Sequence, residues 1–105
     1  NDPAFFDAAR GLARRILAES RGDPRERVAY AFRLCTARRP LPAELDRLTA
    51  AFRVERTHFA GDLKAARAVV GGAAAPVGEP QLAESAAWTL IANVLLNLDE
   101  TLTKE

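Results

Sequence analysis

Apolar residues recur along this chain at spacings of three and four, and proline, glycine and aspartate break the recurrence at intervals. Such spacing places apolar side chains on one face of a helix, and no period-2 segment competes for a strand. The first helix is expected from about Pro3 to Ser20. Asp2 suits its N-cap, and Pro3 suits a first turn that needs no N–H there. Phe5, Ala9, Leu12 and Ile16 share its inner face, widened by Phe6, Ala13 and Leu17, while Arg10 and Arg14 are expected in water on the other side. Gly22 supplies the exit turn.

The signal then repeats. Asp23 caps and Pro24 opens a second helix, to about Ala37, with Val28, Ala31, Phe32 and Cys35 inward and Leu34 on a flank. Arg38 and Arg39 follow at its C-terminal end, where cations offset the helix dipole. Pro40 ends it by disfavouring helical backbone at Arg39. Pro42 opens a third helix, to about Phe59, with Leu41, Leu45, Leu48, Phe52 and Phe59 on one face. After Gly61, a short fourth helix runs from about Asp62 to Val70 with Leu63, Ala66 and Val70 inward. Gly71 to Gly78 reads as a flexible linker.

The last helix is long, from about Pro80 to Thr103. Ala87, Trp88, Ile91, Val94, Leu95, Leu98 and Leu102 make its broad apolar face. Leu82 and Leu96, flanked by Ala86, project from the other side at 100° per residue. The fold class expected is all-α, a compact bundle of about five helices in which the last is central. Either the bundle wraps that last helix, or Leu82 and Leu96 dock on another domain or a partner.

The chain has 105 residues, one domain's worth. With 49% hydrophobic and 28% charged residues it has a globular balance, not a disordered one. The formal net charge is +1, so no global field favours nucleic acid or anionic lipid. Of the 15 basic residues only Lys64 and Lys104 are lysine, a bias attributed to genome composition rather than to binding. No apolar run approaches the roughly 18 residues of a membrane span. The chain has no Met, and it is read as a piece of a longer protein.

Candidate chemistry is sparse. His58 is the single histidine, with Glu55 and Asp62 about one turn away on either side; no second strong metal ligand stands at an established spacing. Cys35 falls on an apolar stripe beside Phe32 and behaves as a small hydrophobe. Asp99 and Glu100 are sequential and diverge by about 100°, unlike converging catalytic carboxylates. There is no haem-attachment, paired-cysteine or phosphate-loop motif, so neither cofactor nor metal is assigned.

Arg27 to Leu48 is the segment where two readings compete. Arg33, Arg38 and Arg39 before a turn and a helix look superficially like a helix-turn-helix. A DNA reader places polar side chains at the start of its second helix. Here that start reads Leu41-Pro42-Ala43-Glu44-Leu45-Asp46, which would bring two carboxylates to the phosphates. A scaffold corner is favoured, and nucleic acid is not an expected partner.

Three segments carry a family resemblance: Asn1-Asp2-Pro3-Ala4-Phe5-Phe6-Asp7-Ala8-Ala9-Arg10; Ala31-Phe32-Arg33-Leu34 through Arg38-Arg39-Pro40, Glu44 and Leu45; and Val94-Leu95-Leu96-Asn97-Leu98-Asp99-Glu100. In these the chain resembles the C-terminal domain of unknown function of large planctomycete proteins, many of which carry a cytochrome-c-like domain elsewhere. The likeness implies an exported, envelope-associated multidomain protein; it supplies no catalytic residue, and any haem would belong to another domain. One departure stands at the corner. That family often has Thr after Arg-Pro, where this chain has Leu41; losing a hydroxyl cap costs about 1 kcal/mol, and Leu41 is expected to compensate by packing.

The function expected is a non-catalytic helical module that packs against its parent protein or a protein partner, with Leu82, Leu96, Arg38 and Arg39 as candidate contacts. The alternative is an accessory domain that completes the active site of a larger envelope hydrolase or redox enzyme, with polar groups gathered around His58 or the Arg38–Arg39 corner.

Overall fold

The computed structural model describes residues 3–71 and 78–103, with side chains described over 7–71 and 78–98. It contains five helices and, among these residues, no strand: α1 (Pro3–Glu19), α2 (Pro24–Thr36), α3 (Pro42–Ala60), α4 (Leu63–Val70) and α5 (Glu79–Thr103). Each boundary lies within a residue of the one its punctuation predicts. The expectations for Asp2, Phe5, Phe6, Leu102 and the centre of the linker fall outside the described residues.

The punctuation works as local chemistry. At α2, the Asp23 carboxylate accepts from the Glu26 N–H and the Glu26 carboxylate accepts from the Asp23 N–H, both at 2.9 Å. This reciprocal box satisfies two donors that the first turn leaves unpaired. Gly22 makes room for it: its φ is 102°, and a Cβ there would stand 2.0 Å from a Glu26 carboxylate oxygen. At α4, the Asp62 carboxylate accepts from the Ala65 N–H at 3.1 Å.

The bundle is organised around α5, which packs against α1, α2, α3 and α4. From Leu82 to Ala92 every direction around α5 carries a buried residue, including Leu82, Ala86, Trp88, Thr89 and Ile91. Trp88 is fully buried and stacks on Phe52 of α3, ring centres 4.1 Å apart. On the α1 side the core takes in Ala9, Ala13 and Ile16, and α5 adds buried Ala83, Ala86 and Ala87 to the same core.

An exposure expectation fails at Arg10. Arg10 is not in open water: its guanidinium donates to the carbonyls of Val69 at 2.8 Å and Ala68 at 3.2 Å, and pairs with Asp7 at 2.9 Å. The last carbonyls of a helix have no partner within it, and a cation there also meets the negative end of the dipole. Arg10 thereby latches α1 to the end of α4. Gly71 is part of the latch: with φ of 88°, it offers no Cβ where Arg10 Nε would lie only 3.2 Å away.

Candidate interaction surface

The corner between α2 and α3 begins at Ala37, whose φ of 60° puts it in the left-handed region while its N–H reaches the Arg33 carbonyl at 3.0 Å. That reversal sends Arg38 back toward α3. Its guanidinium grips both oxygens of Glu44, at 3.0 and 2.9 Å, and lies 4.8 Å from the centre of the Phe32 ring. Glu44 in turn accepts the Leu41 N–H at 2.8 Å. Arg25 of α2 also pairs with Asp46 of α3. The two carboxylates that argued against a DNA-reading helix are thus the groups that tie α3 to α2.

This geometry holds the Glu44 carboxyl down at about 2. The Arg38 hydrogen bonds are the main cause and the Leu41 N–H adds to them. Arg38 is raised by the same contact. The two candidate arginines therefore part company: Arg38 is occupied within the corner, and Arg39 is exposed with no ion pair among the described residues.

Leu41 does not compensate by packing. It is 61% exposed, and the corner is held by Glu44 and Arg38 instead. The missing hydroxyl leaves one half of a capping box; the carboxylate half remains.

A second polar knot joins α1 to α2. Arg15 holds Glu19 at 2.9 and 3.1 Å, and the Tyr30 hydroxyl donates to the same carboxylate. Glu19 is lowered, first by the Arg15 hydrogen bonds and then by Tyr30, while Tyr30 is raised by donating to an anion.

His58 is exposed near the end of α3, with its ring edge against Phe59. Asp62 is engaged as the α4 cap. Among the described residues no group of three metal-capable side chains gathers. From Pro42 to His58 the helix rises roughly 24 Å, so His58 and the arginine corner cannot share one site. Cys35 is half-buried against the core.

On α5 the candidate contacts are rearranged. Leu82 is 3% exposed and belongs to the core, so it is not available as a docking residue. Leu96 is half-buried and also packs on the core. The bundle wraps both. Past Ala92 the cover ends on the opposite side, where Val94 and Leu98, assigned by periodicity to the inner face, are 44% and 38% exposed. With half-buried Leu90 they form one row at spacings of four, so neighbouring side chains share a face. Val54, on the outer face of α3, is 65% exposed and has no counterpart in the sequence reading. Among the described residues no helix is long and apolar enough to cross a membrane.

No family model, curated protein or solved structure matches the chain.

Proposed function

We propose that this chain is a non-catalytic helical module that packs against the rest of its parent protein through the outer row of α5. The observation that carries the reading is the exposure of Val94 and Leu98 where the four-helix cover ends, in one row with half-buried Leu90, which still packs on the core. An i, i+4, i+8 row of aliphatic side chains differs from the scattered apolar residues normal on any surface, and such rows are how helices dock. The state of the other candidate groups supports it: Arg38, Glu44, Asp46, Glu19 and Asp62 are engaged in joining or capping helices. The resemblance to a C-terminal domain of large multidomain planctomycete proteins supports a parent-chain partner and an exported, envelope setting.

Hydrogen exchange on the 105-residue chain alone and within a longer parent chain tests this. Amides over residues 90–98 should exchange more slowly in the parent. Val94→Asp with Leu98→Asp should abolish that extra protection while leaving the melting temperature of the chain alone nearly unchanged. Leu96→Asp should instead destabilise the chain alone, because its side chain packs on the core. Equal exchange in both contexts sinks the proposal.

A further inference from the structure

A cleft of about 80 Å³ opens between α1, α4 and α5. Its floor is buried: Ala13, Val70 and Thr89 are 3%, 8% and 2% exposed. Above the floor stand Arg10 and Arg14 of α1 and Ser85 of α5. Among the described residues no carboxylate lines the cleft itself, and that of Asp7 lies beside it on Arg10.

We propose that this cleft binds a small oxyanion, a carboxylate or phosphate head carrying at most a short apolar end. Arg10 supplies a fixed positive charge, because the carbonyls of Ala68 and Val69 hold its guanidinium in place. Asp7 offsets part of that charge from the other side, 2.9 Å away. Arg14 is one turn further along the same face, exposed and with no ion pair among the described residues. The guanidinium fork of Arg14 matches the two oxygens of a carboxylate or phosphate. Ser85 adds a hydroxyl on the facing helix. Thr89 adds no donor, since its hydroxyl already donates to the Ser85 carbonyl at 2.8 Å, so the floor takes the apolar end of a ligand.

The test is a titration of the 105-residue chain at low ionic strength, followed by NMR of the Val70 and Thr89 methyls and the arginine Nε–H groups. The probes are propionate, inorganic phosphate and the neutral isostere propionamide. The proposal expects saturable shifts confined to the cleft with propionate or phosphate, whichever saturates first identifying the head, and none with propionamide. Arg14→Gln should weaken binding by about tenfold or more, the loss of a charged hydrogen-bonding partner. Ser85→Ala, a small change at a half-buried site, should weaken it less, and its unperturbed spectrum serves as the check on the fold. Shifts that never saturate, that appear equally with propionamide, or that survive Arg14→Gln would overturn the assignment.

Discussion

Ala37 is the non-glycine residue with positive φ among those described, at 60°. Left-handed backbone crowds a Cβ against its own carbonyl, and glycine escapes the penalty. Ala37→Gly should therefore stabilise the chain by about 1 kcal/mol, part of it offset by the greater freedom of glycine in the unfolded state. The check is a rise in the urea midpoint with unchanged slope; no rise would mean that the reversal carries no strain. Glu44 gives a second prediction. Its folded carboxyl titrates near 2, below its ordinary 4.5, so its stabilisation is complete above about pH 4.5 and is lost as the pH falls toward 2. Glu44→Gln should be less stable than the parent at pH 7, and the gap should close over that acid window. A constant gap across the window would assign the effect to shape, not charge. Leu41 shows what the sequence could not reveal here. The absent hydroxyl was visible, but not that a carboxylate three residues on, clamped by an arginine three residues back, would hold the corner.

At the scale of elements, the helices were legible because proline, aspartate and glycine mark their ends by local chemistry that needs no neighbours. Positions inside them were legible where the apolar spacing marks one inner face, as for Val28, Phe32 and Phe52. Arg10 was misread because its partners lie some sixty residues away, at the end of a helix whose position no local pattern encodes. Val94 and Leu98 were misread for a related reason. Periodicity gives directions around a helix but not how far along it each neighbour extends. Arg10→Gln keeps much of the side-chain bulk but removes the cation from the α4 carbonyls. It should speed hydrogen exchange in the last turn of α4, at Arg67 to Gly71, with little change in α2 and α3. Uniform acceleration across the bundle would show that Arg10 acts on global stability and not as a latch.

The whole molecule departs from an ordinary helical bundle in one respect: its partners meet mainly on the fifth helix. The stacked rings of Phe52 and Trp88, the packing of α1 and the Arg27–Glu84 pair with α2 all end there. Consequently α1 finds its main partner about seventy residues later in the chain, and the loop-closure entropy of that pairing precedes its reward. During synthesis the four earlier helices emerge with their apolar faces uncovered, and the chain cannot complete its core until the residues around Trp88 have left the ribosome. The same central helix that unifies the finished bundle thus opens an interval of vulnerability before it arrives, in which aggregation competes with folding.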